Sequence, residues 1–406
     1  MAIRIEHTAA VVRGFRFAGA RAGLKTNGQP DLALAAADDA VPAAAVFTTN
    51  LVLAAPVEIA RERVASGRVR AILVNSGCAN ACTGPAGLVA ARDTTAALAR
   101  ALGASPSEVL PASTGVIGVV LDAGKVIERV PSLVASLSEN AEPFAEAILT
   151  TDRSAKVVNA RGEIAGRPFV VLGVAKGAGM FHPNMAPLAP HATMLAFLFT
   201  DAVADATSLS VCLRTVADAT FNRATVDGDT STNDTLVALA SGAARTEASA
   251  TGRVAPPLEE AMLLVCDQLA RKMVADGEGA EHLVELHVSG LASNDEALRI
   301  ARTVATSPLV KTAFYGKDPN WGRLLAAAGR AGVRFDPSAA RILVGGIAIV
   351  AEGIGRGAAA EAAAHEVMEH PSYRVDLVLG DGPGHSHYLT SDLGIGYVRC
   401  NADYRS

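Results

Sequence analysis

The sequence predicts a layered α/β protein, because stretches typical of strands alternate with stretches typical of helices in mixed order. The chain has 406 residues, of which 50% are apolar and only 4% aromatic. Since domains usually have about 100–200 residues, this length can bury one large core or two ordinary ones. We expect that core to consist mainly of Ala, Val and Leu side chains in close-packed layers.

The elements of the first two thirds follow from composition and periodicity. RAILVNSG (70–77) is rich in β-formers and ends in turn residues, which predicts a strand, and residues 87–102 have apolar positions at helical spacing. HATMLAFLFTDA (191–202) is a nearly unbroken apolar run typical of a buried strand. Residues 256–277 predict a helix that prolines open and a glycine follows.

The C-terminal third continues this alternation. HLVELHVSG (282–290) and RILVGGIAIVAEG (341–353) predict strands, and AAAEAAAHEVMEH (358–370) predicts a helix. Ser293 and Glu296 have the spacing of a capping box before the helix EALRIARTVA. GIGYV, just ahead of the terminal RCNADYRS, is strand-like in composition.

The strongest break in the pattern lies at 176–190. KGAGMFHPNMAPLAP is so rich in Gly and Pro that it can hardly form a helix or a strand, and it leads directly to Thr193 at the start of the apolar run. No internal repeat or low-complexity linker is visible elsewhere. The break divides the sequence into two nearly equal parts that both look globular.

Charge and cysteine content narrow the class of partner. The net charge of −5, from 36 basic and 41 acidic residues, has no long run of one sign, which argues against a nucleic-acid groove or a membrane-surface patch. Small polar metabolites are the expected partners.

No secretory signal is visible and the apolar runs are too short to span a bilayer, so we expect a cytoplasmic location. The 5 cysteines form neither an even disulfide set nor a zinc pattern, so we expect buried thiols and no metal site.

Two clusters carry groups with an evident chemical use. In PASTGVIG (111–118), Thr114 and Gly115 can offer a hydroxyl and a backbone N–H side by side, which are the donors that stabilise an oxyanion. In DGEGAEH (276–282), Glu278 lies in a glycine-flanked turn where its carboxylate can meet a cationic group. From the residues alone, an ordinary turn remains the alternative for the first cluster.

Other polar clusters are equally compatible with turns. NSGCANACTG (75–84) joins a strand to a helix, and its small residues allow a close backbone approach. FNRATVDGDTSTNDT (221–235) is acidic but lacks the ligand spacing of a calcium loop, so hydrogen bonds of Asx and Ser/Thr turns explain it. TTDRSAK (150–156) is a further polar stretch. DPNWGR contains the single tryptophan, Trp321, which we expect to be a structural anchor.

Taken in order, these clusters resemble the ornithine acetyltransferase family of arginine biosynthesis. The resemblance runs from about Gly14 to Ser406 and includes VFTTN, NSGCANACTG, PASTGVIG, AKGAGM, ATML, VDGDTSTNDT, DGEGA, DPNWGR and NADYRS. It implies a sandwich of β-sheets and helices. It also implies self-cleavage between Ala192 and Thr193, which would give an α chain of residues 1–192 and a β chain of residues 193–406.

The same resemblance implies the reaction. Thr193 would take the acetyl group of N-acetylornithine and pass it to glutamate, and acetyl-CoA is a second donor in bifunctional members. After cleavage the nucleophile carries its own base, because an α-amine has a reference pKa near ~8. The catalytic positions implied are Thr193, with Thr114 and Gly115 as the oxyanion hole. The substrate-binding positions implied are Thr150, Lys176, Thr193, Glu278, Asn401 and Ser406. No bound cofactor is implied, and the two chains would assemble as an α2β2 heterotetramer.

Two other functions stay open at this point. An N-terminal-nucleophile amidohydrolase or aminopeptidase would pass the acyl group from the same threonine to water. The second alternative is an uncleaved binding protein. It stays open because the segment between PNM and ATML, just before the cleavage site, is longer here than in the family. TTDRSAK and DGEGAEH also differ from the usual family residues, at Arg153, Ala155, Glu281 and His282, which bears on substrate preference.

Overall fold

The computed structural model describes residues 3–183, 185, 194–249 and 252–403. Within this part of the chain, strands and helices form an α/β fold divided into two units. The first unit comprises residues up to Asn222 together with Asp229–Met273, and the second comprises Arg223–Gly228 and the residues from Val274 onward. These units do not coincide with the two chains predicted from the cleavage site, because much of the predicted β chain lies in the first unit.

The first unit contains β1 (Arg4–Glu6), β2 (Phe15–Ala20), β3 (Leu32–Phe47), α1 (Ala55–Val64), β4 (Arg68–Cys78), α2 (Gly84–Leu102), β5 (Val109–Val116), α3 (Ala123–Ala135), α4 (Glu142–Ala147), β6 (Lys156–Ile164), β7 (Arg167–Lys176), β8 (Leu195–Thr200), α5 (Ala206–Ala219), β10 (Thr235–Ala240) and nearly all of α6 (Pro256–Ala275).

The strands of this unit form a sheet of order β1-β6-β7-β8-β10-β3-β4-β5, with β2 paired to β3. The long strand β3 joins the two halves of the sheet, since it pairs with β2 and β4 along its first part and with β10 along its last part. The register of β3 against β4 shifts between Ala36 and Val41. Such an irregularity bends a strand, which lets the two halves of the sheet face each other.

Alternation along β3 supplies two cores. Ala33, Ala35 and Ala37 belong to one buried cluster, and Leu32 and Leu34 belong to another, because successive side chains of a strand point to opposite faces. The second cluster is covered by α2 and α3. The first cluster lies between the sheet halves and contains phenylalanines of β2, α4 and β8 in edge-to-face contact.

Helix α6 covers the outer face of β7. A Cβ at Gly173 would lie 2.4 Å from Val265 and 2.7 Å from Leu269, so the helix approaches the strand as closely as glycine allows. The first unit is therefore a sandwich of two sheet halves between helices. This confirms the fold class predicted from the sequence.

The second unit contains β9 (Ala224–Thr225), β11 (Leu283–Gly290), α7 (Asn294–Ala305), α8 (Pro308–Tyr315), α9 (Trp321–Gly329), β12 (Arg341–Val344), β13 (Ile347–Ala351), β14 (Ile354–Gly355), α10 (Ala358–Met368), β15 (Ser372–Val378), β16 (Gly382–Ser391) and α11 (Ile395–Asp403). Its strands have the order β14-β13-β12-β15-β11-β16-β9. The helix α7 begins after Ser293, whose hydroxyl accepts the N–H of Glu296, as the capping spacing predicts.

Most predicted elements are confirmed, and two are wrong. Residues 341–353 form the hairpin of β12 and β13 and not one strand, because Gly345 and Gly346 adopt positive φ angles of 56° and 85° and so turn the chain back. GIGYV opens the helix α11 and not a strand. Its apolar side chains at Ile395 and Val398 are 59% and 61% exposed, so apolar composition there does not reflect burial.

The cysteines are only partly as expected. Cys78, Cys212 and Cys266 are buried free thiols, whereas Cys82 and Cys400 are exposed. The prediction that all five thiols are buried is therefore wrong. Cys82 lies on a turn at positive φ, and Cys400 lies on the terminal helix.

Two other expectations concern single features. Trp321 packs against the core of the second unit, and a Cβ at Gly355 would lie 3.0 Å from its ring, so the predicted anchor role is confirmed. In the part of the chain that the structure describes, no helix combines the length and apolar character needed to cross a membrane.

Candidate active site

The ends of β7 and β8 lie side by side, and polar side chains of the first unit gather at the end of β7. Lys176, the last residue of β7, lies opposite Leu195, the first residue of β8. Ala192 and Thr193 lie outside the described residues, as does Ser406. Met194, covalently joined to Thr193, is described and completely buried.

Lys176 brings two predicted hydroxyl residues together. Its Nζ donates to Thr150 Oγ1 at 2.7 Å and to Thr114 Oγ1 at 3.2 Å, and the lysine is 3% exposed. Because an ammonium group can only donate, both hydroxyl oxygens act as acceptors towards it, and each keeps its own O–H to donate elsewhere. The arrangement therefore leaves Thr114 able to donate to a developing oxyanion.

A buried carboxylate compensates the charge of this lysine. Asp152 Oδ2 lies 3.6 Å from Lys176 Nζ, and Asp152 Oδ1 accepts from Lys156 Nζ at 2.6 Å and from the N–H of Gly177 at 2.7 Å. Burial by itself would raise the pKa of Asp152, but the charges of Lys176 and Lys156 outweigh it and hold that pKa well below its ordinary value. The aspartate is therefore ionised at neutral pH.

Gly115 requires the absence of a side chain. It follows Thr114 on β5 with a φ of 126°, and a Cβ there would lie 2.4 Å from the carbonyl carbon of Gly77 and 2.6 Å from the nitrogen of Cys78. Only glycine fits this close approach of two strands. The backbone beside Thr114 is thereby held in one position.

A network of amide side chains fixes the same strand end. Asn233 Nδ2 donates to the carbonyl oxygens of Ala79 at 2.7 Å and Ser113 at 2.8 Å. The hydroxyl of Ser113 donates to Asn75 Oδ1 at 2.6 Å, and Asn75 Nδ2 donates to the carbonyl of Cys78 at 2.8 Å. The NSGCANACTG and STNDT segments therefore act here as buried supports for the PASTG strand.

In the second unit, the structure brings together two further predicted residues. Asn401 Nδ2 donates to Glu278 Oε2 at 2.9 Å and to the carbonyl of Tyr397 at 3.1 Å. The turn that carries Glu278 packs tightly on α11, since a Cβ at Gly279 would lie 2.1 Å from the Tyr397 nitrogen. Close packing of turn on helix thus explains how these positions, far apart in sequence, become neighbours.

Comparison with known proteins identifies the family of this chain. Residues 16–406 match the model of the ArgJ family. The chain belongs to the ArgJ family. The arginine biosynthesis bifunctional protein ArgJ of Geobacter sulfurreducens is 45% identical over 401 residues, covering 97% of this chain and 100% of the relative. That of Gloeobacter violaceus is 45% identical over 404 residues, covering 98% of each chain.

A solved structure belongs to the same family. The crystal structure of arginine biosynthesis bifunctional protein ArgJ from Bacillus halodurans is 39% identical with a TM-score of 0.50, and it covers 52% of this chain and 100% of the solved chain. The solved ArgJ chain is therefore about half as long as this one. The resemblance drawn from the motifs is confirmed.

Sequence reasoning missed two charged residues near Lys176. Asp152 follows Thr150 and Thr151 in TTDRSAK. Its place two residues after Thr150, a predicted substrate-binding residue, was the available signal. Lys25 was also missed. Burial lowers the pKa of Lys25 to about 8, opposed by the charge of Asp31 and reinforced by that of Lys176. Nothing in the composition of its loop marks it as a second cation near Lys176.

Proposed function

We propose that this protein transfers the acetyl group of N-acetylornithine to glutamate through an acetyl-Thr193 intermediate, in arginine biosynthesis. The observation that carries the proposal is the ArgJ family match across residues 16–406. The motif residues Thr114 and Thr150 both accept hydrogen bonds from the buried Lys176. The relatives' name, bifunctional protein, supports a second activity, the formation of N-acetylglutamate with acetyl-CoA as co-substrate. No metal or bound organic cofactor takes part in the proposed reaction.

Self-cleavage comes first in this proposal. The Oγ of Thr193 attacks the carbonyl carbon of Ala192, the peptide C–N bond breaks and an ester forms as the amine takes the hydroxyl proton. Water then hydrolyses the ester and releases the carboxylate of Ala192. The solved relative matches 52% of this chain over its own entire length, which supports a product of two chains.

Acetyl transfer uses the new terminus. The neutral α-amine of Thr193 takes the proton of its own hydroxyl, and Oγ attacks the acetyl carbonyl of N-acetylornithine. The Thr114 hydroxyl and the Gly115 N–H donate to the oxyanion. The C–N bond to ornithine breaks and the leaving amine takes the proton from the ammonium, after which the amine of glutamate attacks the acetyl ester in the same way.

Substrate binding follows from charge. Lys176, already a donor to Thr150, faces the α-carboxylate of the substrate, and Glu278, held by Asn401, faces the side-chain ammonium of ornithine. Ser406 completes the set of proposed substrate-binding residues. We further propose an α2β2 heterotetramer in the cytoplasm, for which native mass spectrometry that finds two copies of each chain is the test.

The decisive experiment combines a gel with an assay. Thr193→Ala should run as one band on a denaturing gel and transfer no acetyl group, whereas the wild type should run as two bands of about half the mass. Thr215→Ala, an exposed threonine on α5, is the matched control and should behave as the wild type. A Thr193→Ala protein that still splits into two chains refutes the assignment.

The acceptor needs a separate test. Wild-type protein incubated with N-acetylornithine should release ornithine only when glutamate is present, beyond the first turnover. Release that continues without glutamate would identify an N-terminal-nucleophile hydrolase instead. A second assay, with acetyl-CoA as the only acetyl donor, tests the proposed bifunctional activity.

A further inference from the structure

We propose that Asp234 is a positioning residue that binds the liberated α-amine of Thr193 and shares its proton, an inference that rests on the proposed self-cleavage. Asp234 stands immediately before β10 and is completely buried. It has no assigned role in the resemblance described above. Its two carboxyl oxygens have very different surroundings.

The hydrogen bond of Asp234 Oδ1 shows that the carboxyl group lies beside residue 194. Asp234 Oδ1 accepts the backbone N–H of Met194, the residue joined to Thr193. The nitrogen of Met194 and the nitrogen of Thr193 are separated only by the carbonyl carbon and Cα of Thr193. One carboxyl group that holds the first nitrogen is therefore within reach of the second, as in the capture of successive backbone N–H groups by an anion.

The second oxygen is free to take that role. Asp234 Oδ2 is buried and has no hydrogen-bond partner among the residues that the structure describes. A buried carboxyl oxygen without a partner is energetically unfavourable. An amine created by cleavage beside it supplies the missing donor.

The backbone holds Asp234 rigidly. β8 and β10 are parallel with Leu195 opposite Thr235, and the N–H of Thr235 donates to the Met194 carbonyl at 2.9 Å. On the other side, the N–H of Thr48 donates to the carbonyl of Asp234 at 2.8 Å. The carboxyl group is thus fixed between two neighbouring strands and cannot easily turn away from residue 194.

The electrostatics before cleavage favour a proton on Asp234. Burial raises the pKa of Asp234 well above its ordinary value, and the charge of Lys176 opposes that shift only in part. Lys176 is itself paired with Asp152. Arg61 of α1 is a further cation on the packed elements, and it donates to the carbonyl of Thr48 at 2.6 Å.

Cleavage changes this balance. The new amine can take the proton of Asp234, which gives a carboxylate and an ammonium in contact, and this contact favours the protonated form of the amine. No other proton donor is required. Asp234 thereby holds the amine in place and raises the pH above which the amine acts as the base on the Thr193 hydroxyl.

The test is the pH dependence of kcat/KM in Asp234→Asn. The amide oxygen can still accept from Met194, so the variant should fold and cleave, but it lacks the negative charge. The acidic limb of the profile, which reports the free enzyme's base, should move to lower pH by about one unit or more. A merely structural role would lower stability and leave that limb in place.

Asp201 offers a matched control. It directly follows β8, is buried, and accepts the N–H of Val170 at 2.8 Å, but it lies at the opposite end of the strand. Asp201→Asn should leave the acidic limb unchanged. Transfer from N-acetylornithine to glutamate is measured for the wild type and for Asp201→Asn as the baseline. Activity of both proteins shows that the proposed function holds, whatever the result for Asp234→Asn.

Each outcome decides the inference. An Asp234→Asn protein with the wild-type acidic limb, or one that folds but remains a single chain, overturns it while the proposed function stands. Where Asp234→Asn fails to fold, the wild type decides, by the pH dependence of cyanate labelling at the β-chain terminus. Titration of that amine above the ordinary α-amine pKa near ~8 supports the inference, and titration below it overturns the inference. Wild type without transfer activity contradicts the proposed function itself.

Discussion

Each unit buries a lysine, but the two side chains have different partners. Lys176 in the first unit lies 3.6 Å from the carboxylate of Asp152. Lys311 in the second unit is 2% exposed and donates to Thr390 Oγ1 at 2.9 Å and to the carbonyl and hydroxyl of Ser391. One lysine therefore has a charged partner in contact, and the other donates to neutral oxygens.

The surroundings of Lys311 change its pKa. Burial lowers the pKa of Lys311 to about 7, although Asp227 and Asp392 oppose this shift through their charges. At Lys176 the ionised Asp152 is in contact and compensates the charge of the lysine. Lys176, which is proposed to bind the carboxylate of the substrate, thus has a carboxylate of the protein beside it. Lys311, which joins strand β16 to helix α8, has no carboxylate in contact among the described residues.

The largest expected effect comes from removing the carboxylate. Asp152→Asn leaves Lys176 and Lys156 buried without an anion, so the unfolding free energy should fall by about 3–5 kcal/mol and transfer activity should be lost. Because the folded pKa of Asp152 is lowered, its contribution in the wild type is fully present above the ordinary aspartate pKa and is lost as the pH falls below it. Urea unfolding at neutral pH measures the change.

Asp39→Asn is the control for this variant. Asp39 is fully exposed, at 3.5 Å from Arg70, and its loss should not change the midpoint of unfolding. Equal stability of Asp152→Asn and Asp39→Asn would contradict the view that the first unit depends on a charged pair.

The second effect concerns binding. Lys176→Met should fold, because Asp152 keeps Lys156 as its partner at 2.6 Å, but it removes the donor to Thr114 and Thr150. We expect kcat/KM for N-acetylornithine to fall about 100-fold, equivalent to about 2.7 kcal/mol. Steady-state kinetics measure it, with the exposed Lys125→Met as control. A Lys176→Met enzyme as efficient as the control would show that this lysine does not act on the substrate.

The third effect is a pH dependence of stability. Below about pH 7 the folded and unfolded proteins both hold the proton of Lys311, but above it the folded form releases that proton while the unfolded form keeps it until about pH 10. Folding is therefore favoured as the pH rises. Relative to Lys311→Met, the wild type should gain about 2 kcal/mol between about pH 7 and about pH 9.

Lys317→Met serves as the control in the same pH range. Its hydrogen bond to Glu369 raises the pKa of this exposed lysine, so both folded and unfolded forms stay protonated and no pH dependence should appear. If Lys311→Met and the wild type respond alike to pH, Lys311 keeps its charge and the contrast with Lys176 disappears.

The sequence was sufficient for the elements whose pattern is local. The apolar run before Thr200 became the buried strand β8, and the prolines and glycine around residues 256–277 set the ends of α6 within two residues. Periodicity predicts such elements because burial of one face or both faces repeats with the backbone. GIGYV was wrong for the complementary reason, since a short apolar stretch carries no period.

The sequence alone also determined the family, through ordered motifs along nearly the whole chain, and with it the candidate residues Thr114, Thr150, Lys176, Glu278 and Asn401. Tertiary structure decided which of these residues are in contact and which neighbouring groups compensate their charges. Asp152 and Asp234 gained their importance only when burial removed water from them, because an aspartate in a turn motif looks the same whether it is solvated or enclosed. Burial and pairing are properties of neighbours that are distant in sequence, so no local pattern records them.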